Sequence, residues 1–344
     1  SLNKYNIISL LLRLCSLSIT PALLYVININ LSSNMGNIDI FLSPYSLYLV
    51  SALYTNSYYN LDAHRDITKY LSSGKLISSR ILSDYLKRII FTILILIITL
   101  YPFIIYLSYQ RGFPPFWQSI LFIVIFEKVN DEIQRWFQFS GKIYNWSLFQ
   151  FYRRIPELFI LILISINFFV YTSFIPIKIC LLVFFILKII IETFGIFYFI
   201  IYNRFLSRKS KIFESIDFIN ILKNLNPIHV FHKSIFIYSL KSWIVNFVNQ
   251  IIVSPLAFIT IILPYELIPS FILLDKISKY PSLIDNQLFF YTYRRRIANL
   301  NVSLNIISNQ INNRIIKLYL PLSILFSSIL FFLYVNSLFS PLSF

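Results

Sequence analysis

Long apolar runs, separated by short polar connections, recur along the whole chain. A hydrocarbon span needs roughly 20 largely apolar residues. By that measure the sequence predicts about nine helices, at 6–29, 38–58, 89–109, 115–139, 155–174, 177–202, 234–252, 256–274 and 316–338. Ser43, Pro44 and Ser46 interrupt the second, and the seventh and eighth also read as one longer pair bent around Pro255. The expected fold is therefore all-α, a polytopic transmembrane helix bundle. A first six-helix lobe covers 1–202, a basic cytoplasmic linker 203–233, and a shortened second lobe 234–344, with a cytoplasmic segment at 275–315. The first apolar stretch, Asn6 to Ile29, is longer than a signal-peptide core and lacks a small-residue cleavage site, which predicts a retained helix.

The cations cluster in alternate connections. Arg65, Lys69, Lys75, Arg80, Lys87 and Arg88 lie between the second and third spans, which predicts that this connection is cytoplasmic. The connections holding Lys142, Arg153 and Arg154, then Arg204, Arg208, Lys209 and Lys211, then Lys276, Lys279, Arg294, Arg295 and Arg296, follow on the same side. The other connections carry almost no charge, Arg111 being the main exception. The expected topology is N-terminus in and C-terminus out.

Composition agrees with a bilayer as solvent. Hydrophobic residues make up 57% of the 344 residues, charged residues 13%, and mean hydropathy is +0.71. Thirty Lys and Arg against 14 Asp and Glu give a net charge of +16. The positive connections account for most of that excess without nucleic acid as a partner. Five glycines argue against Gly-rich phosphate loops. Cys15 and Cys180 lie inside apolar segments, and His64, His229 and His232 are scattered, so neither a disulfide nor a metal site is expected, and no cofactor. There is no Walker loop, Gly-x-Ser-x-Gly or His-Glu-x-x-His, and the chain is not expected to be an enzyme.

The segment from Pro115 to Lys142 carries the most chemistry. Its apolar half, Phe116 to Phe126, continues without a breaker into Glu127, Lys128, Asn130, Asp131, Glu132, Gln134 and Arg135. With Glu127 at the origin of a helical wheel, Asp131 falls about 40° away, Arg135 about 80°, Lys128 about 100° and Glu132 about 140°. Val129, Ile133, Trp136 and Phe137 take the opposite side. Charges at membrane depth cost about 2.5–3.5 kcal/mol each, so they face a bundle interior or a water-filled cavity and pair. Glu127, Asp131 and Arg135 are placed to form such a ladder. The other reading has Glu127 alone deep, with the remaining charges marking where the helix leaves the membrane.

The run Glu127-Lys128-Val129-Asn130-Asp131-Glu132-Ile133-Gln134-Arg135 resembles a Glu-His-Leu-Ser-Gln-Glu-Leu-Tyr-Arg type of segment. That segment lies in the fourth helix of some bacterial polysaccharide-biosynthesis membrane proteins related to the O-antigen and lipid-linked oligosaccharide flippases. Phe151-Tyr152-Arg153 is similar to the Phe-Leu-Arg stretch that opens their fifth helix, and Asp62 to Asp66 to the polar stretch after their second. The family's His is Lys128 here and its Tyr is Gln134. Such flippases have twelve or more helices in two six-helix lobes, against six and then about three here.

The resemblance implies a flippase-like transporter that moves an anionic, polyprenyl-diphosphate-linked oligosaccharide across a bacterial cytoplasmic (inner) membrane, with the lipid bilayer and polysaccharide-assembly proteins as its other partners. Arg13, in Leu10-Leu11-Leu12-Arg13-Leu14-Cys15, would face the diphosphate, with Arg135, Arg153 and Arg154 at the cytoplasmic mouth. Glu127, Asp131 and Glu132 would pair with those cations or bind a coupling cation. Arg13 equally reads as snorkelling to the interface near Lys4, and Arg153 with Arg154 as topology signals. Lys188 and Glu192, four apart in the sixth span, read as a structural pair rather than a relay. Lys241, Asn246, Asn249 and Gln250 give the seventh span a polar stripe, and Glu266 stands between Pro264 and Pro269 where the eighth is expected to break. Two alternatives remain: a membrane polymerase or ligase of the same pathway, which the short outer loops disfavour, and a non-catalytic structural subunit of a larger membrane assembly.

Overall fold

The computed structural model describes residues 4–32, 38–56, 67, 68, 70, 71, 79–111, 117–170, 177–209, 267–285 and 320–335, with scattered positions elsewhere between 237 and 317. Among these residues the fold is all-helical, as expected. The long elements are α1 (Lys4–Ser32), α2 (Ile38–Asn56), α3 (Ser79–Arg111), α4 (Trp117–Phe139) and α5 (Ile143–Tyr152). They are followed by α6 (Ile155–Val170), α7 (Ile177–Lys209), α8 (Ile268–Asp285) and α9 (Leu320–Val335).

Three stretches among the described residues are long and apolar enough to cross a membrane: Ile7–Ile27, Ile81–Gln110 and Ile179–Tyr202. Each turns its apolar face outward. On α7, Ile179, Leu182, Ile186, Ile190, Phe194, Phe197 and Ile201 are exposed, while Phe184, Lys188 and Glu192 are buried. On α3, Leu94, Ile97, Ile98, Tyr101 and Ile105 face out, and Thr92, Leu96, Leu100, Ile104 and Ser108 face in at a spacing of one turn. On α1, Ser9, Arg13, Ser16 and Thr20 form the buried stripe, and Ile7 and Leu11 lie outside. Apolar side chains gain nothing by leaving lipid for a core, whereas polar ones gain a partner, so the polar stripe turns inward. Several inward hydroxyls donate to their own helix one turn back, as Thr92 does to the Arg88 carbonyl and Ser108 to that of Ile104.

Helix α4 lies at the centre, packed against α2, α3, α5 and α7. Around it, α1 packs on α2, α5, α6 and α8, and α6 packs on α7. A core of Leu23, Leu24, Ile27, Tyr45, Ile123, Val124, Ile160 and Phe184 joins α1, α2, α4, α6 and α7. Ile272 and Leu273 of α8 belong to the same core. Helix α8 thus packs on helices of the expected first lobe, and residues 203–209, the start of the linker expected at 203–233, end α7.

One expectation changes. Residues 143–152, read as part of a cytoplasmic connection, form α5, which packs against α1. The chain folds back into α5 through Gly141, whose φ of 79° lies in the left-handed region. The Lys142 amide donates to the Phe137 carbonyl at 3.1 Å, a glycine-ended helix stop. Helix α8 runs to Asp285, across the expected boundary between span and cytoplasmic segment at 274, and so carries Lys276. Asn246, Asn249, Gln250 and Glu266 lie outside the described residues, and at Lys241 the chain is helical and exposed.

Candidate functional site: a charged cavity between the helices

The break between α5 and α6 sets the site. Arg153 and Arg154 occupy the two-residue turn there, and the Leu158 amide donates to the Arg154 carbonyl at 3.0 Å to start α6. Pro156 follows in the first turn of α6, where it has no amide to lose. The turn directs the Arg153 guanidinium back toward α4 and α7, while that of Arg154 pairs with Glu157 of α6.

Arg153 joins three elements. Its Nη1 donates to Asp131 at 2.7 Å and to Gln134 at 3.1 Å, and its Nη2 to the Glu127 carbonyl at 3.1 Å, all on α4. Its Nε lies 3.2 Å from both carboxylate oxygens of Glu192 on α7. Asn130 fixes that carboxylate from α4, donating to Glu192 Oε2 at 2.6 Å and to the Glu192 carbonyl at 2.7 Å. The helices approach closely here: a Cβ on Gly195 would lie 2.8 Å from Asn130 Oδ1 and 3.1 Å from the Phe149 ring.

Lys188 is the second hub. Its ammonium lies 2.9 Å from Glu127, 3.2 Å from Glu157 and 3.5 Å from Glu192, and donates to the Arg153 carbonyl at 3.2 Å. Glu127 also accepts from the Tyr48 hydroxyl of α2 at 2.6 Å, and Glu157 from Arg154 at 3.2 Å. A buried charge persists only when paired and hydrogen-bonded. Four carboxylates and two deep cations meet that condition jointly.

These groups border a cavity of about 260 Å³. Its lining comes from α1 (Thr20), α2 (Tyr45, Tyr48, Thr55), α4 (Glu127, Lys128, Asp131, Gln134), α5 (Gln150), α6 (Glu157), α7 (Lys188) and α8 (Ile272, Lys276), with Arg153 and Arg154. Five cations and three carboxylates face it, so the cavity is net positive. Among the described residues, no group of three or more His, Cys, Asp and Glu is arranged to hold a metal ion.

Of the residues singled out from sequence, Glu127, Asp131, Arg153 and Arg154 meet at this cavity. Glu127 and Asp131 take their cations from other elements, Lys188 and Arg153, while Arg135 pairs with Glu132 on α4 itself. Glu132 also accepts from Tyr85 of α3 at 2.8 Å, so this second pair lies outside the cavity lining. Arg13 is outside it too: its Nε donates to the Ser9 carbonyl at 3.1 Å and its guanidinium lies 5.1 Å from the Trp146 ring centroid. Neither of the two roles considered for Arg13 anticipated Trp146, because α5 was not expected as a helix.

Glu157 and Lys128 were missed as site residues, and Lys188 with Glu192 was read as an isolated pair. Each was visible as an ionisable residue inside an apolar span, which is itself a signal for a functional interior. Their partners come from other helices, which no spacing within one helix reveals. No family model, curated protein or solved structure matches this chain.

Proposed function

We propose that this chain is a membrane transporter of an anionic, lipid-linked substrate, of the polyprenyl-diphosphate oligosaccharide class, and that the substrate's charged head occupies the cavity between α1, α2, α4, α6, α7 and α8. The observation that carries the reading is a net-positive cavity lined by five cations and three carboxylates, inside a helical bundle whose apolar faces point outward. Ionisable groups at such depth mark substrate or ion pathways. The sequence resemblance of the Glu127–Arg135 run supplies the oligosaccharide class. The placement of cations in alternate connections supports a cytoplasmic N-terminus in a bacterial inner membrane.

The test is reconstitution into vesicles holding a fluorescent polyprenyl-diphosphate oligosaccharide in both leaflets, followed by an impermeant quencher. The native chain is expected to expose the inner-leaflet lipid over time, and Glu127→Gln to slow this strongly. Exposure no faster than in protein-free vesicles overturns the proposal.

One observation favours a structural subunit instead: Arg153 and Lys188 are fully matched by Asp131, Glu127, Glu157 and Glu192, as in a static core. Binding of the lipid without translocation would support that second reading.

A further inference from the structure

The carboxylates of the buried network are not equally served. Arg153 and Lys188 carry two positive charges against the four negative charges of Glu127, Asp131, Glu157 and Glu192. Arg154 adds a third positive charge through Glu157. The groups joined by these ion pairs therefore hold one negative charge in excess. Lys128 of α4 offsets charge from further away, where Asp131 and Glu132 act on it. No ion pair joins Lys128 to Glu192 among the described residues.

Distances single out Glu192 as the least served. Arg153 stands 2.7 Å from Asp131 and 3.2 Å from Glu192. An ammonium has three protons to donate. Three acceptors lie nearer to Lys188 than Glu192 does: Glu127 at 2.9 Å, Glu157 at 3.2 Å and the Arg153 carbonyl at 3.2 Å, with Glu192 fourth at 3.5 Å. Both cations of Glu192 are thus closer to another group. What remains to it is one Arg153 N–H shared between its two oxygens, and the neutral Asn130 amide at 2.6 Å. Its side chain is nonetheless fully buried, near the middle of the apolar stretch Ile179–Tyr202. A buried carboxylate short of counter-charge relieves the deficit by taking a proton, the one counter-charge that needs no room.

We propose that Glu192 is an exchangeable proton site, ionised while Arg153 rests on it and protonated as Arg153 withdraws. The proton comes from solvent in the cavity, which Arg153 and Lys188 line and Glu192 does not. It forms an O–H bond on the carboxylate, and no other covalent bond changes. Uptake removes the charge that draws Arg153 Nε to α7. Arg153 keeps Asp131, Gln134 and the Glu127 carbonyl, all on α4. Two contacts of α7 do not depend on that charge: Asn130 donates to the Glu192 carbonyl at 2.7 Å, and Lys188 to the Arg153 carbonyl at 3.2 Å. Proton occupancy thus frees one guanidinium of the cavity lining without parting the helices. The other titratable groups facing this point are Glu127, Lys128 and Asp131 of α4, Arg154 of the turn, Glu157 of α6, Tyr152 of α5, and Tyr45 and Tyr48 of α2, besides Lys188 on α7 itself. The carboxylates among them favour uptake and the cations oppose it. The site stands on these contacts and not on the transport reading.

The test is infrared spectroscopy of the purified full chain in detergent, titrated from alkaline pH downward and read at the C=O stretch of the protonated carboxyl group. The first such signal to appear is expected to come from Glu192. It should shift on deuteration, be absent from Glu192→Gln, and be retained in Glu127→Gln and Glu157→Gln. Asn130→Ala removes the amide that favours the ionised form and leaves every charge in place. It is expected to tighten proton binding roughly ten- to a hundredfold, the range of a hydrogen bond to a charged group. The same signal then appears about one to two pH units higher. Because Asn130 touches no other carboxylate of the network, this variant decides the question even if Glu192→Gln does not fold. A first signal that persists in Glu192→Gln, or one that Asn130→Ala leaves unmoved, overturns the proposal.

Discussion

Arg153 and Glu192 stand 39 positions apart in sequence, yet Arg153 Nε lies 3.2 Å from both oxygens of the Glu192 carboxylate. The same guanidinium holds Asp131 through Nη1, so one side chain ties the α5–α6 turn to both α4 and α7. Removing one partner of a buried pair leaves the other uncompensated and costs about 3–5 kcal/mol. Arg153→Gln is expected to destabilise by that amount. Arg153→Lys recovers little, because an ammonium cannot span Asp131 and Glu192 as the guanidinium fork does. Thermal unfolding in detergent, with Glu192→Gln and the double variant, completes the cycle. The double variant is expected to lose clearly less than the sum, and strict additivity would refute the coupling.

Gly195 lies where α7 meets Asn130 and Phe149. Gly195→Ala forces a methyl into 2.8 Å contact with Asn130 Oδ1, and so disturbs the amide that holds Glu192. Overpacking of this kind costs about 1–3 kcal/mol. A Gly195→Ala chain as stable as the native one would show that the two helices separate freely.

The Tyr48 hydroxyl donates to Glu127 at 2.6 Å. Tyr48→Phe keeps the ring packed on Phe184 and removes only the donor. Hydrogen bonds to charged groups contribute about 1.5–3 kcal/mol. The expected loss lies in that range for Tyr48→Phe, and similarly for Tyr85→Phe, which removes the donor to Glu132. Unfolding measurements on both variants check whether the two carboxylates depend equally on their tyrosines.

Gly141 turns the chain from α4 into α5 at a φ of 79°. Gly141→Ala places a Cβ in the left-handed region, at a cost of about 1 kcal/mol. Gly141→Asn is expected to be milder, since Asn tolerates that conformation. Equal stability of the Ala and native chains would mean that the turn relaxes.

Arg13 is packed on Trp146 and lies outside the cavity lining. Arg13→Gln is expected to lower the unfolding temperature through that lost contact while leaving the translocation rate within about twofold, given cation–π contributions of about 0.5–2 kcal/mol. A tenfold loss of translocation at native stability would return Arg13 to the site.

The apolar runs alone determined that the fold is helical, because helix period and span length are local properties of sequence. The charged face of α4 was legible for the same reason: Glu127 and Asp131 lie within about 40° of each other on any helix. What each charge pairs with was not legible. Glu127 finds Lys188 and Asp131 finds Arg153 because α5, unrecognised in a stretch read as a connection, turns the chain so that α6 and α7 return beside α4. Tertiary structure also decided that Arg13 meets an indole and that Lys128 of α4 lines the cavity and reaches the Thr55 carbonyl of α2. A buried charge is satisfied by whatever the packing brings within about 3 Å, and sequence spacing reports that only within one helix.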